Sequence, residues 1–334
     1  MSASESIAAQ RAAHRVMHAL RLHERAGPEQ LVYEEAPLPA IGVGDVLVRV
    51  HAASITPTEL RWPPTWEDRA GRDRRPVIPA HEVAGEVAAL GYGTTEPPVG
   101  TPVYALTDWY RDGAAADYVA VEARDVAPLP AALPFVQAAA IPLAGLTAWQ
   151  ALFAHGRLVA GQTVLIHGAG GGVGTFAVQL AHAAGARVVA TGRAWARRPV
   201  TALGADEYID LDRRPFEEAT GQVDLVLDLV GGELLRRSWA VVKPGGALVS
   251  AVEDPRAAHP GRPEVRGVFF VVVPDRAELI ELARRAEAGA LRPVIGSVVP
   301  LADGRAAFAA KHAGGVPGKM VLAVTDRAAA TGAR

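Results

Sequence analysis

The sequence predicts an α/β protein in two parts: a mostly antiparallel, β-rich N-terminal domain followed by a doubly wound parallel sheet. Three observations lead there. Short apolar runs broken by glycine and proline fill the first 130 or so residues. A strand–glycine–helix unit, VLIHGAGGGVGTFAVQLA, occupies residues 164–181. Beyond it, apolar strands alternate with helical segments, which implies right-handed crossovers and parallel pairing.

Bulk properties narrow the classes. A chain of 334 residues can bury two cores, and 50% hydrophobic with 21% charged residues is an ordinary globular balance. The formal net charge of −2 gives no reason to expect affinity for nucleic acid or for an anionic membrane. There is no cysteine, which removes disulfides and thiolate zinc ligands and fits a reducing cytosol. A cytoplasmic protein is expected. No run approaches the roughly 18 apolar residues of a membrane span. Residues 1–15 carry charge where a signal peptide needs its apolar core, and they read as an extension.

The elements follow in order. Residues 46–53 (VLVRVHAA), 83–90 (VAGEVAAL) and 117–122 (DYVAVE) alternate or run apolar, with proline- and glycine-rich turns between them. Residues 163–167 form a buried strand, and from Val173 onward Phe176, Ala177, Leu180, Ala181 and Ala184 share one helical face. Between strand and helix lies Ala169-x-Gly171-x-x-Gly174, a dinucleotide fingerprint with alanine for its first glycine. Ala169, Gly170, Gly171, Gly172, Val173 and Gly174 would then cradle a pyrophosphate at the helix N-terminus.

The next strand, 187–191, should end on an acid if the ribose 2′-hydroxyl is to be held. It ends instead at Gly192-Arg193, with Arg197 and Arg198 just beyond. Guanidinium groups clasp a 2′-phosphate, so NADPH is expected over NADH. The other reading of the arginines is a solvated run at a helix start. Strands follow at 223–229, at 247–251 after the turn Lys243-Pro244-Gly245-Gly246, and at 268–273. Asp228, Val230, Ala251, Val252, Phe270 and Val271 lie near the strand ends, where they line the nicotinamide or pack the sheet. A last run, 319–324, is placed to return to the first domain. The expected division is 1–15 extension, 16–136 with 275–334 as the first domain, and 137–274 as the nucleotide domain.

The ordered set of A-x-G-G-V-G, D-x-V-G-G, K-P-G-G and G-K-M-V-L resembles the medium-chain dehydrogenase/reductase superfamily over residues 16–325. Within it the likeness is to the zinc-independent quinone oxidoreductase (zeta-crystallin-like) branch. The resemblance implies a GroES-like N-terminal domain, a Rossmann domain, Lys319 beside the cofactor, and a homodimer paired through residues 268–273. Zinc-dependent relatives place ligands at positions matching Thr56, His81 and the neighbourhood of Ala140. Only His81 could ligate, so no metal is expected, and His81 becomes a pocket or packing residue.

Without a Lewis acid, the easier task is hydride transfer to the conjugated carbon of a quinone or α,β-unsaturated carbonyl, a small electrophile. Charge then moves to a carbonyl oxygen that needs donors. Thr56 and Thr58 occupy the family's pocket motif, and Tyr110 is a candidate donor. Arg111 is a candidate anchor for an anionic substrate, and Trp62, Trp66 and Trp109 could wall an aromatic-sized pocket. A carbonyl reductase and a non-catalytic NADPH-binding sensor remain the alternative readings.

Overall fold

The computed structural model describes residues 16–56, 58–130, 132–258 and 261–325; the expected N-terminal extension lies outside them. The described chain falls into two compact units. The first contains residues up to 142, with 297–316 and those from 320 on; the second contains 143–296 and 317–319.

In the first unit the strands are β1 (Val16–Arg21), β2 (Val32–Pro37), β3 (Asp45–Ile55), β4 (Glu82–Leu90), β5 (Pro102–Leu106), β6 (Tyr118–Glu122) and β7 (Val126–Pro128). β3 is the hub: its β-branched, apolar residues pair antiparallel with β6 at one end and with β4 along most of its length. The core gathers Leu20, Val48, Val83, Ala105 and Phe308, among others. Each fully buried valine, leucine or phenylalanine among them contributes about 1.5–3 kcal/mol. The register Ser54↔Glu82↔Leu106 sets the end of β3, the start of β4 and the end of β5 side by side. The three segments that leave those ends are therefore neighbours.

The second unit holds β8 (Thr163–His167), β9 (Arg187–Gly192), β10 (Glu207–Asp210), β11 (Val223–Asp228), β12 (Val242–Ser250) and β13 (Arg266–Phe269). All pair parallel, in the order β10-β9-β8-β11-β12-β13. That is the doubly wound Rossmann order, with its switch point between β8 and β11. Leu165, Val189, Phe216, Val226, Trp239 and Leu248 fill one side of the sheet. β14 (Ile295–Pro300) and β15 (Lys319–Ala323) join the first sheet, in the order β14-β15-β3-β4-β5-β7.

Three expectations need correction. The strand expected at 268–273 is only β13, 266–269; beyond it Val271 and Val273 are exposed, so an apolar run alone overextended it. Lys243-Pro244-Gly245-Gly246 does not precede a strand but lies inside β12. There the register jumps from Val223↔Val242 to Leu225↔Ala247, with Gly245 at φ +81°. The later unit boundary falls at 296/297 instead of 274/275. The helix Arg276–Glu287 stays with the nucleotide unit because Gln150 binds both Val273 and Glu278.

Candidate functional site

The second unit carries the glycine turn. β8 ends at His167, Gly168 turns at φ +73°, and the helix Gly172–Ala183 starts with no side-chain cap. Its first N–H groups thus keep the positive dipole end available to an anion. Each glycine is needed for a different reason. A Cβ on Gly174 would overlap Gly168 O and Ala169, so this position sets the strand–helix approach. A Cβ on Gly170 would stand 2.5 Å from the Cβ of Ala196, whereas one on Gly171 would meet nothing nearer than Gly168 O at 3.3 Å. Of the three, Gly171 is the one least crowded by the fold itself.

The turn is closed from the C-terminal side. The Gly318 N–H donates to Gly170 O at 3.1 Å, and the Lys319 N–H donates to Val294 O at 2.8 Å. Buried Lys319 passes its side chain so near Gly172 that a Cβ there would sit 2.8 Å from Cδ. Gly318 itself, at φ +58° and pressed on Val294 O, admits no side chain. Beneath the turn, fully buried His167 bridges Thr191 Oγ1 (2.8 Å) and Ser238 Oγ (2.9 Å). Burial, with help from Arg237, holds its pKa down to about 3.

At the end of β9, Arg193, Arg197 and Arg198 are exposed, and none pairs with a carboxylate among the described residues. The Tyr208 hydroxyl donates to Arg193 O at 2.7 Å and fixes that backbone. Burial, then the charge of Asp210, pushes this phenol up to about 12. The Arg197 guanidinium lies 5.2 Å above the Tyr208 ring centroid.

Val230, Val252 and Val271 are exposed beyond β11, β12 and β13, with half-buried Ala251 beside Val252. Asp228 and Phe270 turn inward instead. The Asp228 carboxylate accepts from the Val230 and Gly231 N–H groups and from Ser250 Oγ, so it fastens the turn. Its burial raises its pKa. Phe270 packs on the His155 ring at 4.5 Å.

The first unit builds a second cluster from the three converging strand ends. Glu59 is fully buried in the turn after Thr56. Its carboxylate accepts the N–H groups of Ala80 (2.9 Å) and Thr56 (3.2 Å) and lies 2.9 Å from His81 Nδ1. This grip holds Ala80 at φ +70°, a conformation costly for any residue with a Cβ. His81 Nε2 lies 3.3 Å from Arg111 O. The Trp109 ring packs on His81 at 5.0 Å and meets Trp62 edge-on at 5.1 Å. Half-buried Thr56 has no partner for its hydroxyl among the described residues, and Thr58 is exposed.

Thr56, Trp62, His81 and Trp109 are thus brought together; the side chains of four other expected residues, exposed Thr58 and the three that follow, are not. Trp66 is a core residue, 3% exposed, with its indole N–H on Leu60 O. Tyr110 lies under the Arg69 guanidinium, 4.7 Å from its centroid. Arg111 is no free anion anchor: it makes two bonds, 2.8 and 2.7 Å, to Asp45. Those bonds hold the Asp45 carboxyl below its ordinary range against the opposing effect of burial. Sequence reasoning missed Glu59, Gly318 and Tyr208. Glu59 left a signal, an acid three residues after Thr56 at the head of a turn, and Gly318 opens the G-K-M-V-L motif; Tyr208 left none.

Two groups can be tested for fit. A nicotinamide dinucleotide suits the cradle of Gly170, Gly171 and Gly172, the uncapped helix start and the arginine rim. Zinc does not suit the first unit: threonine stands at the thiolate position and His81 is engaged by Glu59. Among the described residues, no three His, Cys, Asp or Glu gather to hold a metal.

The chain matches family models for an alcohol dehydrogenase GroES-like domain over residues 42–131 and a zinc-binding dehydrogenase over 203–322. It is 31% identical over 305 residues to a probable zinc-binding oxidoreductase, mitochondrial, of Arthroderma benhamiae, covering 86% of this chain and 91% of that one. It is 33% identical to a 2-methylene-furan-3-one reductase of Solanum lycopersicum, covering 85% of this chain and 73% of that one. Among solved structures, a quinone oxidoreductase from Coxiella burnetii superposes with a TM-score of 0.87 at 28% identity, over 93% of this chain and all of that one. A mycobacterial protein complexed with NADPH superposes at 0.77 and 27% identity, over 92% of this chain and all of that one. With its fold, glycine turn and relatives in agreement, the chain belongs to the medium-chain dehydrogenase/reductase family, in its quinone oxidoreductase-like branch, and is an oxidoreductase that uses a nicotinamide cofactor.

Proposed function

We propose that the protein is an NADPH-dependent, zinc-independent reductase of a quinone or α,β-unsaturated carbonyl. The observation that carries this is the rim at the end of β9. Gly192 stands where an acid would take the ribose 2′-hydroxyl, and Arg193, Arg197 and Arg198, which follow it, are exposed and pair with no carboxylate among the described residues. The neighbour complexed with NADPH and the enone reductase relative support the same reading. When bound, the reduced nicotinamide supplies the hydride.

The chain's own residues do the rest. The helix start and the turn N–H groups neutralise pyrophosphate charge. In the first unit, Thr56 offers a hydroxyl to the oxygen on which charge develops. Glu59 keeps the His81 ring in one orientation, and Trp62 and Trp109 present apolar faces to a flat substrate. The reading extends to a cytoplasmic homodimer formed through β13, a sheet edge followed by exposed Val271 and Val273. Sedimentation of the purified chain as a monomer at micromolar concentration would remove the dimer from it.

The deciding experiment follows NADPH oxidation against a quinone, an enone, an enoyl thioester and a ketone, each repeated with NADH and with a chelator. Chelator-resistant turnover of the quinone or enone, faster with NADPH, is expected. Turnover of the ketone alone points to a carbonyl reductase. Tight NADPH binding without turnover points to a sensor.

A further inference from the structure

Trp195 follows Arg193 by two residues, in the short turn 194–196 after β9. Its side chain is 45% exposed, an uncommon setting for the largest apolar residue. It is not loose: a Cβ built on Gly170 would stand 3.2 Å from its Cη2 and 3.3 Å from its Cζ3. One edge of the indole therefore rests on the glycine turn. Among the described residues it makes no hydrogen bond and stacks on no other ring. The same floor is kept open at Gly192, where a Cβ would lie 2.6 Å from the Tyr208 hydroxyl.

The end of the second strand of a doubly wound sheet is where the adenosine half of a dinucleotide lies, since the residue there addresses its ribose. An exposed indole braced on the second position of the turn, in a segment that also carries exposed Arg193, Arg197 and Arg198, suits a purine flanked by a phosphate. We propose that Trp195 is a specificity-determining residue for the adenosine end of the cofactor. Its indole stacks on the base, and Arg193, Arg197 and Arg198 take the 2′-phosphate. This rests on the nicotinamide-cofactor reading above.

The test uses 2′,5′-ADP and ADP on the full chain, because neither carries nicotinamide and no turnover is needed. Binding is read by calorimetry and by tryptophan emission for wild type, Trp195→Phe and Trp195→Ala. Wild-type emission should be quenched by both ligands. Trp195→Phe should lose that quenching, although five tryptophans remain, and should bind within about threefold of wild type. Trp195→Ala should weaken both ligands by a similar factor, about 10-fold.

Equal binding by Trp195→Ala overturns the proposal, as does quenching that persists in Trp195→Phe. So does a loss confined to 2′,5′-ADP, which would make the indole a support for the arginines. If wild type binds neither these ligands nor NADPH, the cofactor reading falls and takes this inference with it. If wild type binds them and Trp195→Ala binds equally, this inference falls alone. Because Trp195 is exposed, thermal melts of both variants should match wild type.

Discussion

The glycine turn of the second unit and the His81 cluster of the first are both set at strand ends, but they are made of different material. The turn works through backbone: N–H groups left free by a helix start, and glycines whose missing side chains leave room. It is written in seven consecutive residues, 168–174, and completed by two more, Gly318 and Lys319. The cluster works through side chains, Glu59, His81 and Trp109, which come from three segments up to 50 residues apart and meet only because β3, β4 and β5 are in register. A site made of backbone is local and tolerates few substitutions. A site made of side chains is assembled by the fold, and its members can be exchanged in concert.

The sharpest way to press that contrast is inside the turn. Gly174→Ala forces a Cβ onto Gly168 O and should move helix and strand apart. An overpacking loss of about 1–3 kcal/mol is expected, with kcat/KM falling about 100-fold as the cradle shifts by a fraction of its length. Gly171→Ala, at φ −79° and with its Cβ 3.3 Å from Gly168 O, asks for only a slight shift, so it should lower the melting temperature far less than Gly174→Ala while weakening cofactor binding. If both variants melt alike, Gly174 does not set the strand–helix distance.

In the cluster the largest effect belongs to Glu59→Gln. The carboxylate accepts from Ala80, Thr56 and His81, and an amide replaces one acceptor oxygen by a donor facing donors. A loss of about 2–3 kcal/mol is expected, read by denaturant titration. Adding His81→Gln should cost much less than its effect alone, because the two residues act as one unit. Additive losses would show the pair to be incidental.

Legibility divides along the same line. Period-2 patterns placed the starts or ends of β3, β4 and β6 to within a residue, and the fingerprint located the turn, since both signals lie within a dozen residues. Arg111 looked available because its partner, Asp45, is 66 residues away. Trp66 looked like a pocket wall because nothing in its neighbours tells a buried indole from an exposed one. Trp195 escaped notice for the converse reason. The 268–273 run misled because six apolar residues describe a strand and an exposed apolar ledge equally well.

His167 offers a pH test that separates the units. Folded, its pKa lies at about 3; unfolded, it returns to about 6.5. Below the unfolded value the denatured chain binds a proton that the native chain refuses, so stability falls as pH drops from about 6.5 toward about 3. Between pH 6.5 and 5 that amounts to about 2 kcal/mol, enough to loosen the nucleotide unit first. Hydrogen exchange at the two pH values should show β8 and β9 losing protection before β3 and β4. In His167→Gln the pH dependence should flatten. Equal loss in both units would mean that other groups dominate acid sensitivity.

The smallest effect expected is also the one that most directly checks a correction. Arg111 neighbours Tyr110 and Trp109, yet its guanidinium belongs to Asp45. If that assignment holds, Arg111→Ala should leave KM for an anionic substrate within about twofold, the range of a substitution away from the site. It should lower stability by about 1 kcal/mol at neutral pH, a modest figure because the arginine is 28% exposed. The pH dependence has a definite sign. Asp45 is held below its ordinary range when folded, so the pair contributes above the unfolded carboxyl pKa and stops contributing as pH falls through the folded one. The gap between wild type and Arg111→Ala should therefore narrow as acid is added. A KM raised more than about tenfold with an unchanged melting temperature has the opposite meaning: the guanidinium would then serve substrate and not Asp45, and the loop 107–113 would belong to the site through Arg111 as well as Trp109.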